Sequence, residues 1–268
     1  PVYKIIFLTD YKNVYGSKHF DFPYRSGFDK TLLGKYLSAW GGSPVFKHFS
    51  DIDFTNKDYS NEYILYTSSE DKGYEYKAYI EDVIYGLELM NANVIPGYKY
   101  LRANNNKVFM EILRDQLPGN AFHNISAHKF GSWEDFQNWE NTLTPPVVLK
   151  KSEGASGTGV FFANNNKTLK KKIRKISRTP YLFYELWDLG RSFKHKGYIR
   201  DSKYRKKYII QDFISGLKED WKVYVFWNRY YVFQRPIQKG RGIKASGGGY
   251  DNYYYGENAN IPKGLLDF

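Results

Sequence analysis

Apolar runs of strand length alternate with apolar residues at helical spacing through the first hundred residues, and this alternation limits the fold more than any other feature of the sequence. The runs occupy residues 3–8, 45–49, 63–66 and 94–95. Strands that alternate with helices in this way predict an open α/β layer. The residues at helical spacing are Phe28, Leu32, Tyr36, Leu37 and Trp40, and then Ile80, Val83, Ile84, Leu87 and Met90.

A second part of the chain begins after the polar break Asn104-Asn105-Asn106, and a domain boundary is expected near residue 105. At 268 residues the chain is long for one compact unit, since a domain holds about 100–200 residues. We therefore expect one domain over residues 1–105 and another over 106–268. Further helices are predicted at 107–117, after a capping box of Ser132 and Asp135, and at 167–176, with strands at 147–150, 159–163, 208–214, 222–226 and 230–234.

Several classes of functional site are excluded because the chain lacks the residue type or the sequence motif that they require. It has no cysteine, which excludes disulfides, thiolate zinc sites and thiol nucleophiles. The five histidines form no His-Glu-x-x-His motif and no Gly-x-Ser-x-Gly serine occurs, so zinc hydrolysis and serine-triad catalysis lack support. No apolar run of about 18 residues and no signal-peptide pattern is present, which predicts a cytoplasmic protein without a membrane span.

The positive charge of the chain is concentrated in one segment. Residues 166–207 hold 15 lysines and arginines against Glu185, Asp188 and Asp201, a surplus of 12 that equals the formal net charge of the whole chain. Aromatic residues are interleaved with these cations. Two interpretations remain open: a solvated helix face with a loop, or a surface for an anionic, ring-containing acceptor such as an acidic saccharide or a nucleotide-linked sugar.

A lysine near the end of a predicted strand leads into a loop of small residues. Residues 147–151 read Val-Val-Leu-Lys-Lys, and Ser-Glu-Gly-Ala-Ser-Gly-Thr-Gly fills positions 152–159 before another strand. Backbone N–H groups of such a loop can bind phosphate oxygens. The loop lacks the Gly-Lys-Ser/Thr of a Walker A motif, and it does not open a Rossmann helix, because a strand follows it. By itself it is equally compatible with an ordinary glycine-rich hairpin.

Three later segments follow this loop in an order that indicates a family. They are Gln211-Asp212-Phe213-Ile214, a strand with Asp220 and Lys222, and Gln234-Arg235 followed by Lys244 ahead of a glycine run. Over about residues 107–249 this order resembles the ATP-grasp superfamily, nearest its glutathione-synthetase-like and ribosomal-protein-modifying ligases. The resemblance implies an α/β (α+β) ATP-grasp fold, preceded by a small open α/β pre-ATP-grasp domain on the acceptor side.

The resemblance also implies an activity: a ligase that uses ATP to activate a carboxylate as an acyl phosphate and joins it to an amine. The expected substrates are a small-molecule or glycan carboxylate and amine; nucleic acid is not expected, and a homodimer is compatible with the resemblance. By the resemblance, the phosphates would be held by two strand lysines, Lys107 and Lys150, and by the loop residues Ser152, Gly154, Ser156, Gly157, Thr158 and Gly159. Adenine would be held by Gln211, Asp212, Phe213 and Ile214, and the ribose by Asp220. The catalytic cations Arg235 and Lys244 would stabilise the transferred phosphoryl group.

Members of this family bind two magnesium ions through late carboxylates and an asparagine, and we expect the corresponding ligands here to lie beyond residue 268. Asp251 and Glu257 stand among Tyr and Asn residues that do not resemble a metal strand, so no metal ligand is assigned. The alternative to an enzyme is a binding protein for nucleic acid or an anionic glycan, without catalysis. It would use Lys170, Lys171, Lys172, Arg174, Lys175, Tyr181, Tyr184 and Trp187.

Overall fold

The structure of the chain is a computed structural model that describes residues 3–17, 22–24, 26–55, 57–119, 123–154, 157–226, 228–237 and 253–266. The chain divides into two compact units, Pro1–Asn104 and Asn105–Phe268. Within the described ranges, no helix is both long enough and apolar enough to cross a membrane.

The first unit contains a four-stranded parallel sheet. Its elements are β1 (Tyr3–Thr9), α1 (Lys30–Ala39), β2 (Gly42–His48), β3 (Tyr63–Leu65), α2 (Glu75–Leu89), β4 (Asn93–Ile95) and α3 (Tyr98–Ala103). The strand order is β2-β1-β3-β4, and α1 joins β1 to β2 as α2 joins β3 to β4, because parallel neighbours need a crossover connection. Ile6, Leu8 and Ile64 pack with Ile84 and Leu87 in the core. This arrangement confirms the predicted open α/β layer.

The second unit contains two antiparallel sheets. Its elements are α4 (Lys107–Asp115), β5 (Ala127–Phe130), α5 (Trp133–Trp139), β6 (Val147–Lys151), β7 (Val160–Ala163), α6 (Asn166–Ser177), α7 (Leu182–Lys194), β8 (Tyr208–Asp212), β9 (Glu219–Phe226), β10 (Arg229–Pro236) and β11 (Tyr254–Tyr255). One sheet has the order β5-β8-β6-β7 and the other the order β11-β10-β9. The mixture of a parallel and two antiparallel sheets with helices confirms the predicted α/β (α+β) class.

Local sequence signals explain how α5 and α6 begin and pack. Ser132 Oγ accepts from Asp135 N at 3.0 Å and Asp135 Oδ2 accepts from Ser132 N at 2.8 Å, so the predicted capping box is present at the start of α5. Helix α6 buries Leu169 and Ile173 in the core that includes Leu149 of β6. Its lysines occupy the remaining faces, as expected for an amphipathic helix.

Strand β5 and helix α7 are among the elements of this unit that were not predicted. Strand β5 reads Ala-His-Lys-Phe, which is not an apolar run, and it is a strand because it pairs with β8 from Ala127↔Gln211 to Phe130↔Tyr208. Helix α7 lies in the segment interpreted as a solvated helix face with a loop. Strand β5 depends on pairing with a strand about 80 positions later in the sequence, which a local pattern does not report.

Candidate functional site

Strand β6 places Lys150 at the entrance to the glycine-rich loop. Successive side chains of a strand point to opposite faces, so the buried Val147 and Leu149 face the core while Lys150 lies half-buried on the other face. Strand β7 returns antiparallel to β6, with Lys150 opposite Val160. Loop residues 152–159 therefore connect two paired strands, and Gly154 and Gly157 have φ angles of 107° and 71°, a region that favours glycine.

The first turn of α4 contacts the base of this loop. Asn106 caps the helix by accepting from Phe109 N at 3.3 Å, and the same Oδ1 atom accepts from Ser152 Oγ at 3.1 Å. Lys107 N donates to Ser152 O at 2.9 Å, and Lys107 Nζ donates to Gly154 O at 2.7 Å. Lys107 is thus a helix residue and not the strand lysine that the resemblance implied, because the Asn106 cap starts a helix there.

Lys107 and Lys150 are partly buried cations, and the charge of Lys150 acts on Lys107. Burial lowers the pKa of Lys107, and the charge of Lys150 lowers it further, while Glu153 opposes the shift. Burial also lowers the pKa of Lys150; Glu111 opposes this and Arg114 adds to it. Two half-buried cations therefore lie beside a loop of small residues. An anion such as a polyphosphate, bound between them, would compensate the lysines for the hydration that they lose on burial.

Glu111 links this pair to the residues assigned to adenine, and sequence reasoning did not identify it. Its Oε1 accepts from Gln211 Nε2 at 2.6 Å, and its Oε2 forms an ion pair of 2.9 Å with Arg114 Nη2, although the two groups are not aligned as a hydrogen bond. Glu111 lies four residues after Lys107 and three before Arg114, so all three share one face of α4. That spacing is the signal that could have indicated the cluster.

The segment assigned to adenine lies where β8 leaves its sheet. The last ladder pair is Asp212↔Val147, and Asp212 Oδ2 accepts from Ser126 N at 2.8 Å. Beyond it, Phe213 packs on Phe162 with ring centroids 4.9 Å apart, and Ile214 is exposed. The side chains of Gln211 and Asp212 are therefore hydrogen-bonded to other residues of the protein. The backbone N–H and C=O groups that follow the last ladder pair belong to Phe213 and Ile214.

Asp220 and Arg235 are joined by the register of β9 and β10. They are directly opposite cross-strand partners, and two bonds of 2.6 Å connect the carboxylate oxygens to Arg235 Nε and Nη2. This pairing raises the pKa of Arg235. The resemblance gave the two residues separate roles toward ribose and phosphoryl oxygens, whereas the structure places them in one bidentate ion pair.

Two of the predicted site residues, Ser156 and Lys244, lie outside the described residues. Thr158 is exposed, and Gly159 O accepts from Lys151 N at 2.9 Å in the return to β7. Within the part of the chain that the structure describes, no group of three His, Asp or Glu side chains could hold a metal ion. No described residue is therefore assigned to magnesium.

The basic segment 166–207 contains more structure than its charge suggested. Glu185 pairs with Arg178 and Lys203, Asp188 with Arg200, and Asp201 with Arg205. Each of its three carboxylates is thus engaged within the segment. Other cations lie over rings: Arg174 is 4.4 Å from the Trp133 centroid and Arg191 is 3.5 Å from that of Trp187.

Comparisons with known proteins are limited to solved structures, since no protein-family model and no curated protein matches the sequence. D-cycloserine synthetase DcsG is similar with a TM-score of 0.49 and 11% identity over 96% of this chain and 76% of that chain. D-alanyl-alanine synthetase A from Vibrio cholerae gives a TM-score of 0.46 and 10% identity, with coverage of 97% and 76%.

A RiPP-associated ATP-grasp ligase from Chryseobacterium gregarium, in complex with ADP and a leader and core peptide, gives a TM-score of 0.45 and 12% identity, with coverage of 91% and 72%. Solved ATP-grasp proteins are therefore among the structures that this chain resembles.

Glu111→Gln is expected to move the alkaline limit of ATP binding to lower pH. The glutamine retains an oxygen that can accept from Gln211 but loses the charge that keeps the pKa of Lys150 from falling further. A cationic lysine attracts phosphate and a neutral one does not, so with Lys150 at the phosphates a lower pKa would mean that affinity is lost earlier as the pH rises. The measurement is the ATP dissociation constant as a function of pH above neutrality.

Glu140→Gln is the matched control, because Glu140 pairs with Lys170 at 2.8 Å and has no link to Lys150. Identical pH profiles for the Glu111 variant and the wild type would exclude an electrostatic role for Glu111.

Proposed function

We propose that the chain is an ATP-grasp ligase that activates a carboxylate with ATP and joins it to an amine. The observation that carries the proposal is the convergence of Lys107, Lys150 and the glycine-rich loop in one cluster, although the two lysines are 43 positions apart in the sequence. Burial disfavours the charged form of each lysine, and the charge of Lys150 adds to this effect at Lys107, unless an anion binds. A polyphosphate chain supplies that anion.

The order of motifs supports ATP as the particular polyphosphate. In the proposal, the segment from Gln211 to Ile214 binds adenine, with the side chain of Gln211 oriented by Glu111. Asp220 contacts the ribose or orients Arg235, to which it is paired. Arg235 and Lys244 stabilise charge on the transferred phosphoryl group.

The reaction consists of two displacements. An oxygen of the substrate carboxylate bonds to the γ-phosphorus while the bond to the β,γ-bridging oxygen breaks, and ADP leaves. The amine nitrogen then bonds to the acyl carbon, phosphate leaves with the electron pair of the C–O bond, and the nitrogen loses one proton. The chain's own contribution is to bind the phosphates through lysines and loop amides and to offset the charge that develops on the phosphoryl oxygens.

ATP is expected to stabilise the protein against unfolding. At 100 times its dissociation constant a ligand that binds only the folded state adds about 2.7 kcal/mol to the free energy of unfolding. Thermal or chemical unfolding with ATP, GTP and inorganic triphosphate, each with and without magnesium, measures the effect. A larger shift with ATP than with triphosphate at equal concentration indicates that the nucleoside is recognised.

A polyanion-binding protein without catalysis would respond to triphosphate as strongly as to ATP and would show no preference for adenine. That result contradicts the proposal. Turnover is tested separately with hydroxylamine as a general amine, since it converts an acyl phosphate into a hydroxamate; ADP and hydroxamate should appear together when a suitable acid is supplied from a panel of candidates.

A further inference from the structure

Helix α7 presents an apolar face to solvent. Leu182, Leu186 and Phe193 lie on one side of the helix by their spacing, and Phe183 lies on the adjacent stripe. All four are exposed, Phe183 to 87% and Phe193 to 84%, and Ile199 in the following segment is 90% exposed. Single exposed apolar residues are ordinary, but a contiguous set on one helix is typical of an interaction surface.

The buried residue of α7 is a carboxylate while its apolar face is exposed, which is the reverse of the usual arrangement. Asp188 is only 2% exposed; it accepts from Tyr198 Oη at 2.6 Å and pairs with Arg200 at 3.2 Å. One turn earlier, Tyr184 Oη donates to Asp201 at 2.6 Å. Rotating the helix to bury its apolar face would separate Asp188 from these partners, and breaking a buried ion pair is strongly unfavourable. The polar contacts therefore hold the apolar face outward.

The surroundings of this apolar face are positively charged. The segment's three carboxylates are all engaged within it, and within the described part of the chain Lys194 and Lys196 form no ion pair. Lys194 ends the helix that carries the apolar face, and Lys196 follows two residues later. A partner must accordingly combine negative charge with an apolar layer that accepts Phe, Leu and Ile side chains.

We propose that α7 and the segment after it form a docking surface for an anionic lipid bilayer. A second copy of the chain is disfavoured because it would bring the same cations together. Nucleic acid would use the aromatic rings for stacking but has no use for exposed Leu182, Leu186 and Ile199. Side chains more than four fifths exposed form a convex surface, not a groove for a peptide, and a helix with Phe and Leu beside Lys and Arg is suited to the interface of a bilayer.

Vesicle binding tests this directly. The full chain is mixed with vesicles of phosphatidylcholine alone and with vesicles of equal parts phosphatidylcholine and phosphatidylglycerol, and the bound fraction is measured by sedimentation. We expect binding to the anionic vesicles that weakens with added salt. The triple variant Phe183→Ser, Phe193→Ser and Ile199→Ser should bind at least about tenfold more weakly, because its side chains no longer enter the apolar layer.

Two further variants complete the test. Trp40→Ser removes an equally exposed aromatic residue, at 90%, from the first unit and should bind vesicles as the wild type does. The variant Lys194→Ala and Lys196→Ala should lose part of the preference for phosphatidylglycerol and part of the salt dependence. Since all these side chains are exposed, unfolding temperatures should match that of the wild type.

The proposal is overturned if the wild type does not bind anionic vesicles, or if the triple variant binds them as well as the wild type does. It is also overturned if the wild type does not bind vesicles but associates with itself in analytical ultracentrifugation, and the triple variant does not self-associate. The same holds if the wild type does not bind vesicles but retains a single-stranded oligonucleotide, and the triple variant does not retain it. Those two results would identify the face as a contact between copies or as a nucleic-acid surface.

Discussion

Replacement of Arg235 by alanine is expected to lower the rate of acyl-phosphate formation by about 10²–10³-fold, the range found when one preorganised group that stabilises transition-state charge is removed. Arg235 is held by two bonds of 2.6 Å to Asp220, and this interaction raises its pKa, which favours the cationic form. The measurement is hydroxamate formation in the presence of ATP, hydroxylamine and an accepted acid.

Arg229→Ala is the control for this prediction, because Arg229 is an exposed cation on the same strand, β10. A similar loss of rate in both variants would show that the general charge of the strand matters and that Arg235 has no particular role. An unchanged rate in the Arg235 variant would remove it from the site.

Asp220→Asn separates the two roles that remain for Asp220. If the carboxylate contacts ribose, the variant should bind ATP more weakly and inorganic triphosphate as before. If Asp220 instead orients Arg235, both ligands and the rate should be affected, and the Asp220 and Arg235 substitutions should be non-additive in a double-mutant cycle.

Lys150→Met is expected to raise the ATP dissociation constant by about 10–100-fold, since a hydrogen bond to a charged group contributes about 1.5–3 kcal/mol. The methionine keeps the length and apolar stem of the side chain, so packing beside β7 is retained. Lys151→Met, one residue further along β6 and exposed, is the matched control and should bind ATP as the wild type does.

The Lys150→Met variant should be at least as stable to unfolding as the wild type in the absence of nucleotide. Burial lowers the pKa of Lys150 in the folded state, so at neutral pH the charged lysine destabilises the fold, and this cost disappears as the pH rises above the ordinary lysine pKa. Weaker ATP binding combined with equal or greater stability of the free protein is the expected signature. A less stable protein with normal ATP affinity would mean that Lys150 serves the fold alone.

Much of the fold follows from local patterns in the sequence. The periodicity of Ile80, Val83, Ile84 and Leu87 predicted α2 and its buried face, because a helix repeats every 3.6 residues. The alternation in β6 likewise separates Leu149 from Lys150, and the hydrogen-bonding side chains of Ser132 and Asp135 begin α5. These signals act between residues a few positions apart, where the chain geometry is nearly independent of the rest of the fold.

The composition of the candidate site was decided by contacts that no local pattern contains. Gln211 meets Glu111 across 100 residues of sequence, and Lys107 reaches Gly154 across 47. Asp220 and Arg235 were predicted to act separately, but the register of β9 and β10 places them opposite each other as an ion pair. Such pairings depend on which strands become neighbours and in which register.

The sequence by itself therefore determined most of the helices and strands, where Lys150 and the glycine loop occur, and that positive charge is concentrated in one segment. Only the tertiary structure decided that Glu111 belongs with the lysines and that α7 turns its apolar face to solvent. The physical reason is that local periodicity measures which side of an element is apolar. Which side is covered depends on the long-range ion pairs of residues such as Asp188, whose buried charge must keep its partner.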